Sequence, residues 1–363
     1  MAEKRKVMAR LFEQKARPTM FLASHATVMT TLAESIEVDI VRGKETFAVD
    51  VTPGAGGRGN KKSKYTTKEY VPPMYNEFYS LTAQELQKRL PGQTAYDAAS
   101  DAYQTTLFAM ISDKQALMQE KELRAIELQA RDAFFSGKIV LNNSDEIDFK
   151  KKATHDVAPT KEWSDAAGVP LDDVEAACQL CRTDGLINAS RFKLIVADDV
   201  IEVLKANVQF KAKADLRHVQ NVDMGMPTDF NSEGAGFQGI FSAGSYTIEL
   251  WSYPQFYEIP VGFGLANGGT KQPYIPSGSA LLMPASGLRL DLWFGGVPQV
   301  ATQVDGELSA LGLTGTLNVV EADFVPYAYL DDRKECIECG VKTRPLFVPH
   351  QIDGFVTFNT LVA

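Results

Sequence analysis

The longest helical signal, residues 97–137, most limits the architectures open to this chain. In DAASDAYQTTLFAMISDKQALMQEKELRAIELQARDAFFSG, Tyr103, Leu107, Met110, Leu117, Ile126, Ala130 and Phe134 fall near helical spacing. Glu120 with Arg124, and Glu127 with Arg131, are i,i+4 pairs in the favourable order, and Gly137 supplies the stop. At about 1.5 Å per residue the element is a rod of about 50 Å, roughly three times the length of an ordinary globular helix. A rod of that length suits a structural spine better than the scaffold of an active site.

The segment before it is extended. In IEVDIVRGKETFAVDV, residues 36–51, Ile36, Val38 and Ile40 alternate with charged residues, and Phe47, Val49 and Val51 do the same. Arg42-Gly43-Lys44 lies between them, which is the pattern of a β-hairpin. A Gly-rich basic stretch and Pro72-Pro73 come next, so residues 36–77 read as a two-stranded projection with a flexible basic tip. An isolated ribbon of two strands is marginal in water, so a neighbouring subunit is expected to cover it. Residues 1–35 read as an exposed arm, with a short helix as the alternative: six basic residues face two acidic ones in the first seventeen.

Beyond the rod, Ile139–Leu141 and Ile147–Phe149 flank a turn and predict a hairpin. Helices are expected at 171–183 and 199–206, with a strand at 192–197 between them. From residue 236 the chain turns β-rich, and strands are expected at Phe324–Tyr329, Leu346–Val348 and Phe355–Asn359. There is no internal repeat and no βαβ alternation, so the class is α+β.

Bulk properties allow this architecture without selecting it. The 363 residues suffice for two or three folding units or one elaborated domain, and 45% of them are hydrophobic. A net charge of −9 makes a poor general nucleic-acid binder, because phosphate contacts need clustered Lys and Arg. No stretch approaches the roughly 20 apolar residues of a membrane helix. Lys4, Arg5 and Lys6 resemble the start of a secretory signal, but Glu13, Lys15, Arg17 and His25 break up the apolar run that such a signal needs. A cytosolic chain is expected, with its four cysteines as thiols.

Several constellations invite a chemical reading. Gly54-Ala55-Gly56-Gly57-Arg58-Gly59 matches GxGxxG, yet no apolar helix comes after it to hold a pyrophosphate, and Asn60 stands where a P-loop lysine belongs. Cys178 and Cys181 share one face of a predicted helix, while Cys336 and Cys339 sit in KECIECGVK, read as a turn resembling a zinc knuckle. Together they would offer four thiolates, although the pairs are far apart in sequence; buried and loop thiols are the alternative. The four histidines are scattered. Asp172-Asp173 and Asp331-Asp332 stand where acids cap helices or form turns. No catalytic residue, cofactor or metal is expected.

Six blocks in order resemble the E family of tailed-phage major capsid proteins, the lambda type. They are IEVDIVRGKETFAVDVTPGAGGRG with KYTTKEYVPPMY, ELQKRLPGQTAYDA, GFQGIFSAGSYTIELWSY, PYIPSGSALLMP and TRPLFVPHQIDGFVTFNTLVA, spread over most of residues 18–363. The resemblance implies the Hong Kong 97 capsid fold. It would comprise an N-terminal arm (1–35), an extended loop (36–77), a peripheral domain (78–164) with the spine helix, an axial domain (165–325), and a C-terminal return (326–363) to the peripheral domain. It implies pentamers and hexamers of an icosahedral shell around double-stranded DNA, assembled in the host cytoplasm into a virion. The implied partners are copies of the chain, a separate scaffolding protein, a portal and a decoration protein; DNA would be held loosely, and no membrane is involved. The cysteine pairs depart from what the family leads one to expect. An encapsulin-like compartment of the same fold, and a cysteine-dependent metal or redox protein, are the competing readings.

Contacts between copies are expected at the tip of the loop. From Gly54 to Lys68 it carries Arg58, Lys61, Lys62, Lys64 and Lys68 with no acid among them. Asp113, Glu120 and Glu127 on the spine helix of a neighbour are the candidate receivers.

Overall fold

The long helix, α1, spans the 35 residues Asp101–Phe135, and the sheets are arranged along it. The computed structural model describes residues 18–41, 65–82, 101–141, 145–213, 234–262, 267–301, 316–331 and 336–361. The helix stops as the sequence predicts. Gly137 takes φ +65°, and a Cβ there would lie 2.5 Å from Cβ of Lys151. The Lys151 side chain is 3% exposed; it folds back to donate Nζ to the carbonyls of Phe134 at 3.0 Å and Phe135 at 3.3 Å. A cation at this end complements the helix dipole. Asp156 at 2.5 Å and Thr357 at 2.7 Å complete its partners, and burial pulls the ammonium pKa down against the pull of Asp156.

The main core is built on a six-stranded mixed sheet. Its order is Asp156–Val157, Val356–Asn359, Ser279–Pro284, Arg191–Val196, Tyr246–Ser252, Gly236–Ala243. Leu194, Ile195, Val196, Leu281 and Leu282 are fully buried, as inner strands covered on both faces must be. Helices α2 (Pro170–Asp184) and α3 (Asp198–Ala206) follow the expected positions, and a short helix α4 (Val208–Lys213), not expected from the sequence, comes after them. Pro170 opens α2 and Asp172 and Asp173 occupy its first turn, where a fixed φ and negative charge both favour a helix start. A three-stranded sheet joins this core: Leu290–Phe294 pairs antiparallel with Pro345–Pro349 and parallel with Thr27–Thr30. The C-terminal half of α1 closes over it, and Phe134 meets Phe347 at 5.4 Å and Phe355 at 5.0 Å between ring centroids.

The first half of α1 lies on a separate core. Met110 and Met118 pack against Leu81, Cys339 and Val341 of a second three-stranded sheet, ordered Val325–Asp331, Cys336–Thr343, Tyr75–Thr82 and antiparallel throughout. This terminal sheet joins the chain's last third to the strand that precedes α1.

Three local expectations need correction. The described part of the arm is not exposed throughout. Phe21, Leu22 and Ala23 are 0–3% exposed, a 3-10 turn covers Ala23–His25, and Thr27–Thr30 is a strand. Its apolar residues keep no helical or strand period because they serve a turn and a docking pocket in succession. The partner of Ile36–Val41 is Tyr65–Tyr70, paired antiparallel from Ile36↔Tyr70 to Val41↔Tyr65. Phe47, Val49 and Val51 lie outside the described residues, as does the glycine fingerprint. The base of this ribbon is anchored: Ile36 and Tyr70 are each 6% exposed, and Tyr70 donates to the Asp148 carbonyl at 2.9 Å. Finally, Cys336 and Cys339 stand in a strand, not a turn. Gly340 resembles a turn residue by sequence, but it is needed in mid-strand because the ring of Tyr327 lies over it, 2.5 Å from where a Cβ would be.

Candidate functional site

Two buried acids on α1 were not distinguishable by sequence. Glu127 was expected to face a neighbouring subunit and is instead fully buried. Its carboxylate accepts the backbone N–H groups of Leu22 at 2.8 Å and Ala23 at 2.9 Å, and the hydroxyl of Tyr253 at 2.9 Å. The Tyr253 hydroxyl receives a second bond from Thr19 at 2.7 Å. Burial, then the charge of Glu127, pushes the Tyr253 phenol far up, so it stays a donor. Phe21 inserts beside it, 5.3 Å from Tyr253 and 5.7 Å from Trp251 between centroids. Arm, long helix and main sheet therefore meet at one carboxylate. Arg131, expected to pair with Glu127, pairs with its neighbour Asp132 at 2.8 Å.

The other acids proposed as receivers keep their surface positions. Asp113 is exposed, and Glu120 is half-buried and paired with Arg124 at 3.6 Å. Among the basic candidates, Lys68 has its backbone in the ribbon opposite Val38, while Arg58, Lys61, Lys62 and Lys64 lie outside the described residues.

The cysteines do not converge. All four are free and buried. Cys178 and Cys181 belong to the main core and Cys339 to the smaller one. Burial pushes the Cys181 thiol up to about 12 and raises Cys178 and Cys339 as well, the opposite of what a thiolate ligand or nucleophile needs. Among the described residues no three His, Cys, Asp or Glu are grouped to hold a metal ion. No described helix is long and apolar enough to cross a membrane.

What the surface offers instead is contact area. On the terminal sheet's face away from α1, Phe78 is 56% and Tyr329 49% exposed, and Tyr327 stacks on Tyr329 at 5.7 Å. On the first strand Thr27–Thr30 all four residues are exposed, Val28 and Met29 among them, and the nearby Leu32 is 58% exposed. Among the described residues that strand pairs along one edge only. An exposed edge is a template for pairing, and clustered exposed rings favour a protein partner. Alternation in YNEFYSLT carried a signal for Phe78, but nothing local said which face would be covered.

A family model described as phage major capsid protein E matches residues 5–360. No curated protein matches this sequence. Among solved structures, the chain is similar to a prophage capsid protein from E. coli CFT073, with a TM-score of 0.60 and 15% identity over 95% of this chain and 94% of that one. It is also similar to the mature capsid of bacteriophage PhiM1 (TM-score 0.45, 11% identity, 98% and 91% covered). The holo-SrpI encapsulin complex of Synechococcus elongatus PCC 7942 gives a TM-score of 0.41 at 11% identity, with 97% and 92% covered.

Proposed function

The chain belongs to the phage major capsid protein E family, and on that premise we propose how its parts serve a shell. It is a structural subunit of the virion, one that self-assembles into capsomers; its α+β fold is the expected capsid fold, shared with the prophage capsid protein. The observation that carries this is the match of the family across residues 5–360.

The finer reading is ours. Pentamers and hexamers close into an icosahedral shell that assembles in the host cytoplasm and encloses double-stranded DNA without gripping it; a net charge of −9 suits a wall of that kind. A separate scaffold, a portal and a decoration protein complete the partners. The subunit performs no catalysis: raised thiols in two separate cores support a packing role for the cysteines.

Within the subunit, residues 1–35 act as arm and 36–77 as extended loop. Residues 78–164 and 326–363 make the peripheral domain, and 165–325 the axial one. Pairing of Tyr75–Thr82 with Cys336–Thr343 supports the return of the C-terminal segment to the spine. That segment also gives Val356–Asn359 to the central sheet, so the two units share a core.

Copies meet through the basic tip (Arg58, Lys61, Lys62, Lys64, Lys68) and acids such as Asp113 and Glu120. Exposed Val28, Met29, Leu32, Phe78 and Tyr329 supply apolar area for the same contacts. Electron microscopy of the expressed chain, alone and with a scaffold, tests the reading; open aggregates or monomers in both samples would reject it.

A further inference from the structure

Glu122 and Glu127 stand five residues apart on α1 and have opposite surroundings. Glu127 receives three donors. Glu122 is 1% exposed, and neither of its carboxyl oxygens has a hydrogen-bond partner. Among the described residues no cation lies within ion-pair distance of it. It stands one turn after Met118, on the side of α1 that covers the terminal sheet.

The groups around this joint do not supply what is missing. From the strand Tyr75–Thr82, Glu77 adds a second negative charge, itself paired with Lys121 of α1 at 3.2 Å. From Val325–Asp331, Tyr327 spends its hydroxyl proton on Asn76 at 2.8 Å and gives its backbone carbonyl to Gln115 of α1 at 3.1 Å. From the middle strand, the Cys339 thiol points to the Tyr79 carbonyl, Glu338 accepts from Tyr329 at 2.6 Å, and Lys342 lies over the Tyr327 ring. On α1 itself, Lys114 lies over the Tyr79 ring.

We propose that Glu122 is a proton-operated wedge between the long helix and the terminal sheet. Protonated, it lets the two surfaces close as an apolar joint; ionised, it holds an unsolvated charge inside that joint and loosens it.

Burial first, and the charge of Glu77 second, push the Glu122 carboxyl up to about 8 from an ordinary 4.5. The native state thus keeps a proton that the unfolded chain gives up. Stability from this group is complete below the ordinary value, declines as pH rises, and is gone above about 8. The joint is closed in mild acid and loosened in mild alkali. This goes beyond the shell reading and stands whether or not the chain forms shells.

The test is thermal unfolding of the full chain between about pH 6 and about pH 9, for wild type, Glu122→Gln and Glu77→Gln. Wild type is expected to lose melting temperature across this range, and Glu122→Gln to lose markedly less. Glu77→Gln should shift the wild-type transition to lower pH by removing the neighbouring charge. An infrared difference spectrum across the same range should show a protonated carboxyl disappearing in wild type and not in Glu122→Gln. A Glu122→Gln protein with the wild-type pH profile overturns the proposal. Should that variant not fold, an unmoved transition in Glu77→Gln overturns it equally.

Discussion

At the scale of the residue, the decisive group is Glu127. A carboxylate shut away from water is tolerated only when its lone pairs are used, and here two backbone N–H groups and a phenol use them. The donors come from the arm and the main sheet while the acceptor comes from the long helix, so one side chain ties three distant stretches of sequence. Replacing Glu127 by Ala strands those donors and opens a void. Hydrogen bonds to a charged group contribute about 1.5–3 kcal/mol each, and partial rehydration recovers some of that, so a loss of roughly 3 kcal/mol is expected. The denaturant midpoint should fall accordingly, and a protease should then cut within residues 19–25. An unchanged midpoint with a protected arm would show that Phe21 and its aromatic pocket hold the arm unaided. Sequence could not single out this glutamate. Glu120, Glu122 and Glu127 look alike on a helix with nearby arginines, and only the partners brought in from residues 19–23 and 253 separate them.

At the scale of the element, the long helix was legible and its surroundings only in part. Periodicity and Gly137 place α1 within a few residues of Asp101–Phe135, because a repeat sustained over ten turns averages out local exceptions. The strand Arg191–Val196 was legible as well, since a buried inner strand carries an apolar run, here Leu194–Val196. Tyr65–Tyr70 was not, for it joins a polar ribbon whose partner lies beyond a Gly-rich stretch. Cys336–Thr343 was hidden by a mid-strand glycine whose reason, Tyr327, belongs to the neighbouring strand. Lys151 is another device of this kind, an ordinary lysine by sequence that closes the end of α1. Lys151→Met keeps the aliphatic stem but removes the cation from the Phe134 and Phe135 carbonyls. A cost of about 2 kcal/mol is expected, near the upper end for a charge at a partly buried helix terminus. Helical content should stay while the melting temperature falls; an unaltered melting temperature would mean that Gly137 alone suffices as the stop.

At the scale of the molecule, the described residues form two cores bridged by one rod, and the proposed contacts between copies lie outside both cores. The basic tip carries no acid between Gly54 and Lys68, and surface ion pairs are worth at most about 1 kcal/mol each. One substitution should therefore do little, whereas a contact repeated by symmetry multiplies a small loss. Changing Lys61, Lys62 and Lys64 together to Glu is expected to leave the subunit folded by circular dichroism yet impair assembly. High salt should weaken wild-type particles in the same direction. Normal, salt-resistant particles from the triple variant would assign the contact to backbone and apolar groups instead. The central claim, that this chain builds a closed shell, is tested most directly by sizing and imaging the purified full-length protein over a wide concentration range, with and without a scaffold. Capsomers or closed particles of uniform diameter are expected, and a compact monomer at every concentration in both samples would rule a shell out.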